Sequence, residues 1–290
     1  MDDWIALLEL SRRTAVVDVG ANPIDGDPPY AELLAAGRCT VVGFEPQPEA
    51  LAILSSTAGP HERYLPHALG DGEVHELKVT WMNGMTSLLE PDPLRLSVLN
   101  EFARYGEVVR RVPVPTVRLD DVEDLGPTDL LKIDVQGSEL SVFRNGRRTL
   151  AGAVSVHTEV SFLPLYRDQP LFADVDAELR GQGFLLHAFA AVKRWPIAPA
   201  VLDGDIFAAH RQVIEADVAY VRDLARLDLL SDEQLGHLAV VAHYVHRSPD
   251  LVVRCLMELL ARGAVDADVV PAYGVTLGRK LTTDGTRSDR

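Results

Sequence analysis

Cysteine and positive charge are both scarce in this chain of 290 residues. The two cysteines, Cys39 and Cys255, lie far apart in apolar surroundings, so we expect buried thiols rather than a disulfide or a metal pair. Lys and Arg number 28 against 43 Asp and Glu, which gives a formal net charge of −15. Because nucleic-acid binding depends on clustered Lys and Arg, this charge argues against a nucleic-acid partner.

Long hydrophobic runs are missing as well. No apolar run reaches the roughly 18 residues that a membrane span requires, which argues against a membrane partner. The first ten residues, MDDWIALLEL, are acidic and amphipathic and lack the basic start of a secretion signal. We therefore expect a cytoplasmic protein in which residues 1–12 form an N-terminal helix packed on the body.

Strand-like and helix-like segments alternate across residues 13–210. TAVVDVG, CTVVGFE, DLLKIDV and AVSVHTEV are typical of buried strands, and helical segments separate them. This alternation predicts an α/β fold with a mainly parallel sheet. Residues 71–117 are less regular and predict an antiparallel insertion. FLLHAFA and GDIFAAH are the last predicted strands.

From Arg211 onward the pattern predicts helices alone. SDEQLGHLAVVAHYVH begins with a capping box of Ser231 and Gln234, which is typical of a helix start. We assign residues 211–275 to a helical extension that acts as a lid or as the surface of a homodimer. Residues 276–290 are polar and are expected to form a flexible tail.

The turn after the first strand is the first candidate ligand site, because ligands of open parallel sheets bind beyond the carboxyl ends of the strands. Gly20 follows the strand, and Asn22 stands where a dinucleotide motif would have its second glycine. Asp18, Asp25 and Asp27 make the turn acidic. Carboxylates repel the pyrophosphate of a dinucleotide but attract the sulfonium and ammonium of S-adenosylmethionine, so the turn favours the latter.

Glu45 closes the second strand, 27 residues after Asp18. A carboxylate at this place can accept hydrogen bonds from both ribose hydroxyls. NAD sites and S-adenosylmethionine sites share this contact, so Glu45 predicts a nucleoside without choosing between them. An NAD-dependent oxidoreductase is therefore an alternative, which the acidic turn and the missing GxGxxG pattern disfavour.

Six segments resemble, in order and spacing, the FkbM-type methyltransferases. They are VVDVGAN, GFEPQPEAL, HALGDG, TSLLEP, LKIDVQGSELSVFRNG and EVSFLPLY. The resemblance covers roughly residues 15–210 and implies a class I, Rossmann-like methyltransferase fold. It also implies an S-adenosylmethionine-dependent enzyme that methylates a hydroxyl of a small acceptor, either a natural product or a sugar. The loop PIDGDPPY is longer than the family's compact glycine loop, and the family core does not require the stretch after Arg211.

The residues and the resemblance together predict the cofactor contacts. The methionine and ribose would lie along the first turn, the ribose and adenine beside the end of the second strand, and the adenine edge on the residues after the third. These predicted contacts are Asp18, Gly20, Ala21, Asn22, Glu45, Pro46, Ala68, Leu69 and Asp134.

Candidate catalytic groups follow the fourth and fifth main strands. A methyltransferase aligns the acceptor with the carbon–sulfur bond, excludes water and often removes a hydroxyl proton. Asp134 closes the fourth strand, while His157 and Glu159 lie two residues apart on the next strand and share a face. His157 suits the role of a base near neutral pH. Alternatively, Asp134 and Glu159 hold a Mg²⁺ ion, since this ion prefers oxygen ligands.

The predicted substrate contacts are Ser87, Gln136 and Glu139. Ser87 is suggested mainly by the resemblance, and the other two follow Asp134 on the next turn. Glu139 has an alternative role as a cap of its helix. Lone histidines such as His67 are expected to lie at the surface or in the interior without a role at the site. A non-catalytic module that binds S-adenosylmethionine is the third alternative, and the carboxylates after the fourth and fifth strands disfavour it.

Overall fold

The structure is a computed structural model and describes residues 3–22, 26–278 and 281. Its strands belong to two sheets. The strands are β1 (Thr14–Val19), β2 (Cys39–Phe44), β3 (Glu62–Leu65), β4 (Ala68–Leu69), β5 (Val74–Thr80), β6 (Val108–Val117), β7 (Leu130–Ile133), β8 (Ser155–Ser161), β9 (Phe184–Trp195) and β10 (Gln212–Arg222).

Helices surround the larger sheet. The helices are α1 (Asp3–Ala6), α2 (Ala31–Ala35), α3 (Pro48–Thr57), α4 (Pro93–Leu96), α5 (Phe102–Tyr105), α6 (Glu139–Arg144), α7 (Arg147–Gly152), α8 (Phe172–Gly181), α9 (Asp232–Tyr244), α10 (Pro249–Ala261) and α11 (Val269–Thr276). Short 3₁₀ turns cover Asn83–Met85, Leu119–Asp121 and Leu227–Leu229. The N-terminal helix is shorter than the predicted 1–12. The predicted tail at 276–290 lies outside the described residues apart from 276–278 and 281.

The larger sheet has seven strands in the order β3-β2-β1-β7-β8-β10-β9. The neighbours from β3 to β8 pair in parallel, whereas β10 runs antiparallel to both β8 and β9. This mainly parallel sheet confirms the predicted α/β fold class. The carboxyl ends of β1, β2, β7 and β8 therefore lie along one edge, where a ligand site is expected.

The secondary structure predicted just after Arg211 is wrong. Gln212–Arg222 forms the inner strand β10, so the sheet continues past the predicted boundary. Its β-branched and aromatic residues favour a strand, but the carboxylates of Glu215 and Asp217 interrupt the apolar run in the sequence. The strand predicted at GDIFAAH is wrong as well, because residues 204–210 lie in turns and an isolated bridge between β9 and β10.

Alternate residues of the inner strands pack into different cores, as the two-residue period of a strand requires. Val16 belongs to a cluster with residues of α9, α10 and α11. Val17 belongs to a second cluster on the opposite face, with residues of α6 and α8. The molecule thus has three layers, with the sheet between two layers of helices.

The C-terminal helices cover one face of the sheet. The predicted capping box at the start of α9 is confirmed, because Gln234 N donates to Ser231 Oγ at 3.2 Å and Ser231 N donates to Gln234 Oε1 at 3.0 Å. Trp4 and Tyr273 pack edge to face and are fully buried, which joins the N-terminal helix to the same core. Over the described ranges, the helices are too short or too polar to cross a bilayer.

The predicted antiparallel insertion is confirmed. β5 and β6 pair antiparallel, and β4 adds to β6 in parallel to complete a three-stranded sheet. A third apolar cluster, which includes Met85, Leu96 and Tyr166, packs beneath the loop between β5 and β6. This cluster fixes the insertion over the carboxyl edge of the main sheet.

Candidate active site

A cavity of about 280 Å³ lies at the carboxyl edge of the sheet. The turns after β1, β2 and β7 and two residues of β8 form one side, and the loop between β5 and β6 forms another. The predicted cofactor contacts that line it are Asp18, Gly20, Ala21, Asn22, Glu45, Pro46, Ala68, Leu69 and Asp134. The predicted catalytic and substrate residues that line it are His157, Glu159, Ser87 and Gln136. The structure thus brings together residues that are up to 141 positions apart in the chain, from Asp18 to Glu159.

The first turn requires a glycine. The N–H groups of Gly20 and Ala21 both donate to Phe44 O at 3.1 Å, which ties the end of β1 to β2. Gly20 has a φ of +78°, and a Cβ at this position would lie 2.0 Å from the backbone oxygen of Asp134. A side chain is therefore excluded here, and the backbones after β1 and β7 meet beneath the cavity.

The carboxylate of Asp18 is buried and already has partners. Tyr30 Oη donates to Asp18 Oδ2 at 2.6 Å, and Lys132 Nζ lies 3.0 Å from Asp18 Oδ1. Burial by itself would lower the pKa of Lys132, but the carboxylates of Asp18 and Asp134 outweigh it and raise that pKa. Lys132 therefore stays an ammonium and compensates the charge of Asp18.

Lys132 was missed in the sequence, and its presence weakens the charge argument at Asp18. The lysine stands two residues before Asp134 in KIDV, and its backbone pairs in register with Asp18. This shared register was the signal that could have identified the pair. Of the other two acids of the turn, Asp27 lines the cavity, whereas Asp25 lies outside the described residues.

Glu45 is 3% exposed, and one of its carboxylate oxygens faces the backbone two residues further along the chain. Gln47 N donates to Glu45 Oε1 at 2.8 Å, which fixes the side chain at the start of α3. Burial raises the pKa of Glu45 against the effect of this hydrogen bond. The backbone N–H of Asn22 also interacts with this carboxylate and likewise opposes the increase, and both Asn22 and Gln47 line the cavity.

The next part of the wall is mainly apolar. Pro46, Ala68 and Leu69 line it, and the ring of Phe44 lies 6.4 Å from that of His67. His67, for which no role at the site was expected, is half-buried and also lines the cavity. It follows β3 at the same edge as the other site residues, and this position in the sheet was its signal.

The turn after β7 holds Gln136 in a strained conformation. Gln136 has a φ of +54°, which is uncommon for a residue with a side chain. Its Nε2 donates to Asp134 Oδ1 at 2.8 Å and to Glu159 Oε1 at 3.1 Å. Both amide hydrogens are thus used to bridge two predicted catalytic carboxylates, which fixes the orientation of all three side chains.

Two further residues support this turn. Ser87 Oγ donates to Gln136 O at 2.6 Å, so the insertion is attached directly to the strained residue. Glu139 Oε1 accepts from Val135 N at 3.0 Å and from Gly137 N at 3.2 Å. Glu139 is not among the described residues that line the cavity, so its assignment as a substrate contact is corrected to that of a support for the turn.

Glu159 is paired with a lysine. Lys193 Nζ, from β9, lies 2.7 Å from Glu159 Oε2 and 3.8 Å from Glu215 Oε2 of β10. Burial raises the pKa of Glu215 to about 7, and Lys193 opposes this. Glu215 was missed because β10 was expected to be helical, and Lys193 was missed because it lies beyond the predicted strand FLLHAFA.

A magnesium site at Asp134 and Glu159 is not supported. Gln136 and Lys193 already occupy oxygens of the two carboxylates with N–H donors. In the ranges that the structure describes, no three His, Cys, Asp or Glu side chains are grouped as a metal would need.

His157, on β8, is a second imidazole in the cavity wall besides His67. Its Nδ1 is buried without a hydrogen-bond partner among the described residues, which leaves Nε2 as the nitrogen that can reach a ligand. Burial lowers the pKa of His157 to about 4, and the nearby charge of Lys132 contributes to the decrease. The ring is therefore neutral at physiological pH, with a lone pair on one of its two nitrogens.

Comparison with known proteins is consistent with this geometry. The profile of one family, described as "Methyltransferase FkbM domain", matches residues 18–186. The 2-O-methyltransferase NoeI of Sinorhizobium fredii is 28% identical over 212 residues, which are 66% of this chain and 77% of the relative.

Solved methyltransferase structures are more distant. Magnesium protoporphyrin IX methyltransferase from Synechocystis PCC 6803 is 11% identical, with 77% of this chain and 76% of that chain covered and a TM-score of 0.39. Precorrin-6y C5,15-methyltransferase from Geobacter metallireducens GS-15 is 13% identical, with 76% and 87% covered and a TM-score of 0.35. The family profile decides the assignment. The matched residues make up more than half of the chain. The chain therefore belongs to the family of FkbM methyltransferase domains and is an S-adenosylmethionine-dependent methyltransferase.

Proposed function

We propose that this enzyme transfers the methyl group to a hydroxyl oxygen of a small acceptor, either a natural product or a sugar. The observation that carries the proposal is the neutral His157 on the cavity wall, whose Nε2 is available to accept a hydroxyl proton. The relative's name, 2-O-methyltransferase, supports oxygen as the methylated atom.

The donor set of the cavity fits the cofactor. The Glu45 carboxylate is oriented by the backbone of Gln47 and Asn22 and would accept hydrogen bonds from the ribose hydroxyls. Ala68 and Leu69 offer apolar surface for an adenine, and the backbone after Gly20 closes the floor of the cavity. S-adenosylmethionine bound there supplies a methyl group already activated on a sulfonium.

Proton removal is the task that remains for the protein. We assign it to His157, because a general base must be unprotonated and within reach of the hydroxyl. Asp134 and Glu159 are acceptors of hydrogen bonds at the same end of the cavity, and Gln136 holds them in place. They would orient the acceptor hydroxyl and stabilise the imidazolium that forms on His157.

The insertion is proposed to select the acceptor. Asn83, Gly84 and Thr86, from the loop between β5 and β6, line the cavity opposite the ends of β7 and β8. A loop in this position can exclude water from the reacting atoms and contact the part of the acceptor that projects from the sheet.

A methyl-transfer screen tests the proposal. The wild type is incubated with S-adenosylmethionine and panels of hydroxyl-bearing and amine-bearing acceptors, and products are analysed by mass spectrometry and NMR. We expect an O-methyl product, and a His157→Gln variant that loses roughly 100-fold in kcat with unchanged affinity for S-adenosylhomocysteine. Methylation at nitrogen, or wild-type kcat in the variant, would contradict the assignment. Cofactor binding without transfer to any acceptor would favour the non-catalytic alternative.

We also infer a homodimer formed through the C-terminal helices. Met257 of α10 and Val275 of α11 are 38% and 81% exposed, although both are apolar. Light scattering after size exclusion is expected to give twice the mass of the chain, and a monomer at micromolar concentration would contradict the inference.

A cytoplasmic location is part of the proposal. Cys39 and Cys255 are both buried free thiols, as expected for a protein from a reducing compartment.

A further inference from the structure

One end of the cavity lies away from most of the predicted cofactor contacts. Glu45, after β2, and Glu159, on β8, are separated in the sheet by β1 and β7, which is about 14 Å at the usual spacing of strands. A cofactor held by Glu45 and by the turn after β1 therefore leaves the end formed by β8 and β10 for the acceptor. His157, Glu159 and Asp217 line the cavity there, and we call these three residues the acceptor end.

His157 indicates that the acceptor end receives a polar ligand. Its Nδ1 is buried without a hydrogen-bond partner in the described ranges, and its Nε2 is the nitrogen that can reach a ligand. Buried polar side chains in folded proteins nearly always have a partner. A polar group of the acceptor would supply one for this imidazole.

Two carboxylates lie opposite each other at the acceptor end. Asp217 of β10 pairs in register with Glu159 of β8, so the two side chains share one face of the sheet, and both line the cavity. Like charges directly opposite each other in a sheet repel. This pair therefore needs positive charge close to it.

Lysine compensates this negative charge only in part. Lys193 Nζ lies 2.7 Å from Glu159 Oε2 and 3.8 Å from Glu215 Oε2, so one ammonium serves more than one carboxylate. Burial and the neighbouring carboxylates of Glu215 and Asp134 raise the pKa of Glu159 well above its ordinary value. Lys193 opposes this increase but does not cancel it. Negative charge is thus still unfavourable here, and a further cation would relieve it.

The cavity is poorly suited to an anionic acceptor. Within the part of the chain that the structure describes, Lys132 is the only lysine or arginine that lines it. Lys132 Nζ donates to Gly20 O at 2.9 Å and lies 3.0 Å from Asp18 Oδ1, so its contacts are on the cofactor side. A phosphate or carboxylate at the acceptor end would lack the charge-assisted hydrogen bonds that compensate its desolvation.

The geometry points to an acceptor that carries an ammonium group beside the hydroxyl to be methylated, as an amino sugar or an amino alcohol does. Asp217 and Glu159 would bind the ammonium, and His157 would contact the hydroxyl. An ammonium has no lone pair, so the same contact would keep the amino group from competing with the hydroxyl as nucleophile. This inference rests on the proposed transfer to a hydroxyl and names the class of acceptor that the site selects.

Calorimetric titration with matched acceptors tests the inference without turnover. The wild type, saturated with S-adenosylhomocysteine, is titrated near pH 6 with the methyl glycosides of glucosamine, N-acetylglucosamine and glucuronic acid. A second series consists of cyclohexanols with an amino, acetamido or carboxylate group at the neighbouring carbon. In at least one series we expect the ammonium member to bind roughly 10-fold more tightly than the amide, and the carboxylate not to bind. An amide or a carboxylate that binds as tightly as the ammonium member would overturn the inference, as would the absence of binding by both ammonium members.

Asp217→Asn tests the residue assignment. Asparagine keeps the shape of the side chain and removes its charge, so the preference for the ammonium over the amide is expected to disappear while the affinity for S-adenosylhomocysteine is unchanged. Asp266→Asn is the matched control, because it makes the same charge change at an exposed position before α11 and should retain the wild-type preference. A folded Asp217→Asn variant with the wild-type preference would contradict the assignment. The titrations of the wild type test the inference even if this variant does not fold.

Methyl transfer separates this inference from the proposed function. We expect the bound ammonium acceptor to be methylated at oxygen, with a kcat/KM roughly 10-fold above that of its amide. If the ammonium acceptor binds through Asp217 but gives no O-methyl product, the proposed function fails and the recognition of the ammonium stands. If the amide is methylated at oxygen as efficiently as the ammonium acceptor, the proposed function stands and this inference fails.

Discussion

Glu45 is the residue on which cofactor affinity should depend most. Its carboxylate is buried at the cavity wall, and the backbone of Gln47 and Asn22 orients it for the proposed ribose contact. Glu45→Ala is expected to weaken the affinity for S-adenosylhomocysteine roughly 30-fold, since hydrogen bonds to a charged group contribute about 2 kcal/mol. Calorimetric titration measures this. The exposed Glu49 on α3 provides the control, because Glu49→Ala should leave the affinity unchanged. Equal affinities in both variants would refute the ribose assignment.

Glu139 makes stability depend on pH. Burial raises its pKa from 4.5 to about 7, so between these values the folded protein holds a proton that the unfolded chain has released. The free energy of unfolding therefore falls as the pH rises through this range, and the loss reaches about 3 kcal/mol once the pH exceeds 7. Glu139→Gln cannot ionise and still accepts the N–H groups of Val135 and Gly137.

Urea unfolding at two pH values measures the effect. We expect Glu139→Gln to match the wild type near pH 5 and to be about 3 kcal/mol more stable near pH 8. Glu123→Gln, at an exposed position, should show no such difference. A variant that is less stable than the wild type at pH 8 would show that the ionised carboxylate stabilises the turn.

Individual site residues were predictable where they follow a strand, and not where they depend on a neighbour. Glu45, Asp134 and Glu159 stand at strand ends in the sequence, which placed them at the cavity. Lys132 and Lys193 were missed because a lysine within a strand has no local pattern that reveals its partner. Their roles depend on register between strands that are distant in sequence.

At the scale of the elements, Arg222 at the end of β10 joins several of them. Its guanidinium donates to Leu150 O and Ala153 O near the end of α7 and to Gln182 O after α8. It also lies 3.9 Å from the ring centroid of Phe184 at the start of β9. Ala153 O and Gln182 O depend on this guanidinium where helices end against the sheet, whereas Leu150 O also accepts from Ala153 N at 3.1 Å.

Arg222→Met is expected to destabilise the protein by about 3 kcal/mol, because several largely buried carbonyl groups would lose a charged donor. Urea unfolding measures the change. Arg226→Met is the control. Arg226 is exposed and pairs with Asp228 in its own turn, so we expect this substitution to leave the free energy of unfolding nearly unchanged. A comparable loss of stability in both variants would contradict this account of β10.

Helices and strands were likewise predictable where the sequence has a local pattern, and not where they depend on pairing with a distant strand. β1, β2 and β7 are short and mostly apolar, and β8 alternates Val156, Thr158 and Val160 with polar residues, so the sequence was enough to locate them. β10 carries Glu215 and Asp217 among its apolar residues, and only the pairing with β8 and β9 explains them. The length of β9 also depends on this pairing, since most of its residues find their partners on β10.

At the scale of the whole molecule, the C-terminal helices share one core with the sheet. Leu238, Val241 and Leu256 belong to the same cluster as Val16 and Val41 of β1 and β2. A chain that ends after β10 would expose this face to water. We expect such a truncation at residue 222 to be insoluble or unfolded, and the full chain to unfold in one cooperative transition. A soluble, folded truncation that binds S-adenosylhomocysteine would contradict the shared core.

For the enzyme as a whole, we expect the cavity at the carboxyl edge of the sheet to bind S-adenosylmethionine and not a cofactor that carries a pyrophosphate. Calorimetric titration of the wild type with S-adenosylhomocysteine and, separately, with NAD tests this claim most directly. We expect S-adenosylhomocysteine to bind at one site per chain and NAD to give no heat of binding. Binding of NAD, or no binding of S-adenosylhomocysteine, would contradict it.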